Sequence, residues 1–192
     1  MAGRRVEGAR GNALRRGRVL RLRVEAASSA SPDAVWVVLA DIRTHLEWAG
    51  TMQGAGTRLE SIDAEAGPAH VGSEFASTGR DPMGTFTDTS VVTEAIPGQV
   101  LEFVTEARLE TRRGAAVAWT IVHRYELAPH GTGCLIAYAM QITRISSMPG
   151  ALVVLRLPVL STIAMRMSAT VARRGLANLI RFAERHGDQS RS

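Results

Sequence analysis

The side chains in this chain best suited to moving a proton are a histidine, a tyrosine and an aspartate. His123 and Tyr125 fall two apart in Val117–Leu127, whose alternation sets them on one face with Trp119 and Ile121. Asp88 shares a strand face with Phe86, Ser90 and Val92. A buried histidine near an aspartate or a tyrosine can shuttle protons in an aldol-type cyclisation or a dehydration. The plainer alternative is a set of amphipathic residues hydrogen-bonded in the core or at a pocket rim, because one polar pair outside any motif is weak evidence. His123, Tyr125 and Asp88 are therefore catalytic candidates, and none is assigned.

Other chemistries find less support. The five histidines, His45, His70, His123, His130 and His186, form no HExxH and no close ligand spacing. A single cysteine, Cys134, supplies neither a disulfide framework nor a Cys-rich zinc site, and its apolar strand suits a buried thiol. There is no GxSxG, no phosphate-cradling glycine loop and no dinucleotide fingerprint. Neither a metal nor a cofactor is expected.

The elements that must position these residues follow from periodicity. Val19–Ala27 alternates as a first strand. Ser31-Pro32-Asp33 opens a helix, with Ser31 as cap, proline in the first turn and an acid at the positive end. A second short turn or helix covers Arg43–Trp48, and Ala49–Gly56 is loop-like. Strands are expected at Thr57–Ala64, Val71–Ser77, Thr85–Ala95, Val100–Leu109, Val117–Leu127 and Cys134–Thr143, with Gly79–Gly84 and Pro97-Gly98 as turns. Hairpin-length connections favour antiparallel pairing. From about Pro149 the period becomes helical. Val171, Gly175, Leu179 and Phe182 form one face, and Pro158 should break or kink the front of the helix.

At 192 residues, with 45% hydrophobic residues, one domain with a sizeable core is expected. All 23 basic residues are arginine. Residues 1–23 hold eight arginines against one glutamate, residues 24–143 seven against fifteen acids, and residues 144–192 eight against two acids. With the charge in segments, the overall basicity does not argue for nucleic acid as a partner. Residues 1–18 read as a flexible basic arm, 19–187 as the ligand-binding domain and 188–192 as a disordered tail. No targeting segment is visible, which points to the cytoplasm. Ala151–Met165 carries only Arg156 as a charge; with Pro158 it falls short of a bilayer span and reads as a cavity lid, or secondarily as a peripheral membrane contact.

Ser31-Pro32-Asp33-Ala34-Val35-Trp36 through Asp41, followed by His45-Leu46-Glu47-Trp48, resembles the opening of START-like proteins of the SRPBCC superfamily, which includes polyketide cyclase/dehydrase-like proteins. Val71–Phe75, Val92–Gly98, Trp119–Pro129 and Leu176–Leu179 extend the resemblance over roughly residues 20–186. It implies an α+β helix-grip fold: a curved antiparallel sheet of about six to seven strands around a long C-terminal helix, with two short helices after the first strand and a deep pocket between sheet and helix. It also puts the His45–Trp48 region near the pocket mouth, although these two equally suit a pair anchoring the first helix to the sheet. Fold alone implies no single chemistry.

Three functions follow as alternatives. The first is binding of a small hydrophobic ligand (lipid, sterol or polyketide-like), with Trp48, Phe86, Phe103, Trp119, His123, Tyr125, Tyr138 and Met165 as the expected lining. The second is a polyketide or aromatic cyclase-dehydratase using His123, Tyr125 and Asp88. The third is a docking protein that meets membrane or RNA through its basic ends.

Overall fold

The computed structural model describes residues 20–49, 58–145 and 158–189, with the side chains of 158–167 and 188–189 outside the description. The basic arm and residues 151–157 of the proposed lid segment thus lie outside the described residues, as do the side chains of its remainder.

Seven strands form one antiparallel sheet: β1 (Leu20–Ser28), β2 (Arg58–Ala64), β3 (Glu74–Asp81), β4 (Gly84–Ile96), β5 (Val100–Thr111), β6 (Ala116–His130) and β7 (Gly133–Ile145). Their spatial order is β1-β7-β6-β5-β4-β3-β2, so β2 to β7 are a meander and the first strand closes against the last. Between β1 and β2 come α1 (Pro32–Ala40), a 3-10 turn (Ile42–Thr44) and α2 (His45–Trp48); the chain continues after β7 to α3 (Pro158–Gln189). This is the helix-grip arrangement: a curved sheet with a long C-terminal helix lying across it.

The helix starts obey the expected local rules. Ser31 Oγ accepts from the Ala34 amide at 3.2 Å, with Pro32 and Asp33 in the first turn of α1. Val35, Val38 and Leu39 are fully covered, so α1 is fixed by its buried face. Among the described side chains of α3, Ala172, Gly175, Leu176, Leu179, Phe182 and Ala183 are buried. They pack against β1 and α1, and the Glu184 carboxylate ties the same junction by accepting from Ser28 Oγ, the Ser29 amide and Ser29 Oγ at 3.0, 2.8 and 2.8 Å. Pro158 is the first described position of α3, where a missing amide costs nothing.

Two strand boundaries differ from the sequence expectation. β3 begins at Glu74, not Val71, because Gly72 has φ +90° and makes a turn. The next turn is also shorter than Gly79–Gly84: β3 runs to Asp81, whose Oδ1 accepts from the amides of Met83 and Gly84 at 2.6 and 3.0 Å.

The register fixes which side chains share a face. Leu101, Phe103, Thr105, Ala107 and Leu109 of β5 stand opposite Tyr125, His123, Ile121, Trp119 and Val117 of β6, and all point to the inner face. The outer face carries charge: Arg124 meets Glu94, Glu102 and Glu126 at 2.5, 2.9 and 2.9 Å, and Arg23 reaches Glu126 at 2.9 Å. Arg23 spans β7 at Ala137 and Ala139, whose side chains are small enough to let it pass.

Candidate functional site

The inner face has two regions. One lies beneath α1, α2 and the C-terminal half of α3, and it is aromatic. His123 is diagonal to Tyr138 across the β6–β7 pair, and its Nδ1 lies 2.8 Å from the Tyr138 hydroxyl. Tyr125 faces Tyr138 with ring centroids 4.7 Å apart. Phe103 stacks on His123 at 4.8 Å, with Phe75 edge-on to Phe103 at 5.3 Å. Trp48 meets Tyr125 edge-on at 6.3 Å, and His45 lies 4.6 Å from Trp48 and 6.4 Å from Phe103. Seven rings thus form one continuous cluster.

Burial decides the protonation of its polar members. His45 Nε2 is 2.8 Å from the Leu39 carbonyl, which can only accept, so the ring carries its proton on Nε2. Loss of hydration lowers the pKa of both His45 and His123 to about 4; the neighbouring His45 adds to the lowering at His123, whereas the Leu39 carbonyl and then Asp41 partly oppose it at His45. Both are neutral at pH 7. Burial raises the phenols of Tyr125 and Tyr138, so both keep their protons. The cluster offers a neutral imidazole and neutral hydroxyls, and it holds no ion.

The second region lies further along the strands. Ser90 and Thr105 exchange a buried hydrogen bond of 2.8 Å. Next to them Asp88 faces Ser77 on β3 and Ala107 on β5. Ser77 Oγ donates to Asp88 Oδ2 at a long 3.5 Å, and among the described residues the buried Oδ1 has no partner. Desolvation raises the Asp88 pKa to about 6, only weakly opposed by Ser77. Phe86 and Trp119 flank this region on the same face.

The structure gathers Trp48, Phe103, His123, Tyr125 and Tyr138 in one place and leaves Asp88 apart. Asp88 is two strands from β6 and level with Trp119, four residues along from His123. At strand spacings that is about 13 Å along and about 10 Å across. His123, Tyr125 and Asp88 therefore do not meet around one reacting atom. Phe86 and Trp119 belong to the Asp88 region, and the Met165 side chain lies outside the described residues. His45 and Phe75 join the aromatic cluster without having been singled out as lining. The hydrogen bond from Tyr138 to His123 depends on the β6–β7 register, which alternation alone does not give.

Two cavities open beside these regions. A cleft of about 590 Å³ lies on the helix side, lined by Glu47, Trp48, Asn178, Arg181, Phe182, Glu184 and Arg185. A smaller pocket of about 70 Å³ sits by the β2–β3 connection, near Ile42, His70 and Phe75. Trp48 is shared by the large cleft and the aromatic cluster. Among the described residues no group of His, Cys, Asp and Glu could hold a metal ion, and no helix is long and apolar enough to cross a membrane.

No family model and no curated protein matches the chain. Solved structures do. A protein from Rhizobium leguminosarum aligns with a TM-score of 0.61 at 13% identity, covering 88% of this chain and 96% of that one. DynU16, of the dynemicin biosynthetic locus, aligns with a TM-score of 0.52 at 15% identity, covering 85% of this chain and 47% of that one. KanY aligns with a TM-score of 0.52 at 13% identity, covering 86% and 97%. At these identities the likeness is one of fold.

Proposed function

We propose that this protein binds a small, largely hydrophobic ligand between the concave face of its sheet and α3. One observation carries the reading. Phe86, Trp119, Ile121, Met140 and Ile142 all point to the inner face, yet each keeps part of its surface exposed, whereas Leu101, Tyr125, Leu127, Ile136 and Val24 at the α1 end are buried. Apolar side chains that face inward without being covered are what a ligand site needs. The aromatic cluster closes one end of this surface, and isolated polar groups stand along it. The resemblance to START-like proteins supports the same reading.

A second reading, a cyclase or dehydratase acting on a polyketide-like substrate, is favoured by the His123–Tyr138 pair. A neutral imidazole bonded to a neutral phenol can accept a proton and return it. DynU16 shares the fold and is described as belonging to a biosynthetic locus, which is a statement about that protein.

Native mass spectrometry of the protein purified from its own host tests the binding reading. A stoichiometric apolar molecule supports it and gives the ligand class. Protein that carries nothing and takes up no apolar probe overturns it. His123→Gln then separates the two readings: it abolishes turnover in an enzyme and only shifts affinity in a binder.

A further inference from the structure

Among the described residues, Asp88 is a carboxyl group set in the middle of the inner face with no cation opposite it. Asp88 points inward, and the arginines of the strands all occupy the outer face. The described histidine nearest in register, His123, is neutral and lies two strands away. Asp88 Oδ1 has no hydrogen-bond partner among the described residues, and Oδ2 has only the long contact from Ser77. An acceptor buried without a donor costs free energy. Nearby, Ser90 and Thr105 satisfy each other and leave Asp88 unaided. Phe86, two residues before Asp88 on the same face, and Trp119, level with it on β6, supply aromatic surface on either side.

Resting on the ligand-binding reading above, we infer that Asp88 is the anchor for a hydrophobic amine: its carboxylate takes the ammonium group, and Phe86 and Trp119 take the adjoining apolar body. The carboxylate supplies the charge a buried cation requires, and aromatic faces add attraction for it. A neutral hydroxyl could donate one hydrogen bond to Oδ1 but would leave the carboxylate uncompensated. A carboxylic acid ligand would set two acids together and be rejected.

The test uses three probes with one apolar body: 1-naphthylmethylamine, 1-naphthalenemethanol and 1-naphthoate, titrated at pH 7.5 and followed by calorimetry. The full-length wild-type protein should bind the amine at least about tenfold more tightly than the alcohol, with the naphthoate weakest, as a charge-assisted bond exceeds a neutral one. In Asp88→Asn and Asp88→Ser the amine should fall to the level of the alcohol, and the alcohol should change less than about threefold. Thermal melts confirm that each variant is folded. Equal affinities of amine and alcohol in the wild-type protein, or an amine preference that survives both substitutions, overturn the anchor and leave the hydrophobic site standing. Tighter binding of the neutral acceptor 1-acetonaphthone than of the amine also overturns it, because Asp88 would then act as a donor. Failure of every probe to bind removes the site and the anchor together.

Discussion

Asp88→Asn should make the protein more stable, and by an amount that depends on pH. The carboxyl has its pKa raised from 3.8 to about 6 by desolvation. The unfolded chain therefore gives up this proton more readily than the folded one. Below pH 3.8 the group is protonated in both states and has no effect. Between 3.8 and 6 the unfolded state is ionised while the folded state is not, and stability falls as pH rises. Above about 6 the penalty is complete. A shift of about two units corresponds to about 3 kcal/mol at most, and the partial exposure of Asp88 reduces it to about 1–3 kcal/mol. Asparagine has the same shape and no charge. For a chain of this length each kcal/mol moves Tm by about 2–4 °C, so the variant should melt about 2–12 °C higher at pH 7. The Tm difference should shrink towards zero near pH 4. Calorimetric melts of both proteins from pH 4 to 8 measure it directly, because the other titrating groups cancel in the difference. An Asp88→Asn protein less stable than wild type at pH 7, or a gap that stays constant across the range, refutes the argument.

The other predictions concern the rest of the inner face and its supports. His45 and His123 are both held near pKa 4, so stability present above pH 6.5 should be lost as pH falls towards 4, by up to about 3 kcal/mol for each ring; urea unfolding at pH 7 and pH 4.5, with and without His123→Gln, reads the share of His123. Tyr138→Phe removes the partner of His123 Nδ1 and should cost about 1 kcal/mol in chemical denaturation, with a change in the His123 ring signals by NMR. Glu184→Ala unties Ser28 and Ser29 from α3 and should cost about 1–2 kcal/mol, whereas Glu184→Gln should recover part of it. Gly79→Ala would drive a methyl group into the Phe86 ring and the Arg58 carbonyl, and should lower Tm by several degrees and weaken any ligand that touches Phe86.

Much of the scaffold was readable from local signals. The alternation in Val100–Leu109 and Val117–Leu127 put the correct residues on the inner face, because a strand with one buried side leaves little choice of phase. Ser31-Pro32-Asp33 marked the start of α1 because capping depends on three adjacent residues. Val71-Gly72-Ser73 misled, since a valine suggests a strand while Gly72 turns the chain. The site was only half legible. Each polar candidate pointed inward as its face required, but separation is a property of strand order. Hairpin-length connections already set Val100–Leu109 between their strands, but only the register shows Asp88 level with Trp119, four residues from His123. His45 was visible as a ring near Trp48, yet its contact with the Leu39 carbonyl arises from a reversal of the chain after Ala40.

Pairing of β1 with β7 also sets an order of assembly. The ribosome makes β1 first, and its partner emerges more than a hundred residues later. Until then the β2–β6 hairpins can close by local contacts, while β1 and α1 wait without their final neighbours. The β1 end of the inner face is bare through this interval and is covered only when α3 arrives. A nascent chain of this protein should therefore be most prone to association between the synthesis of β6 and of α3. Destabilising changes in β1 should reduce yield during expression more than their cost in equilibrium stability implies.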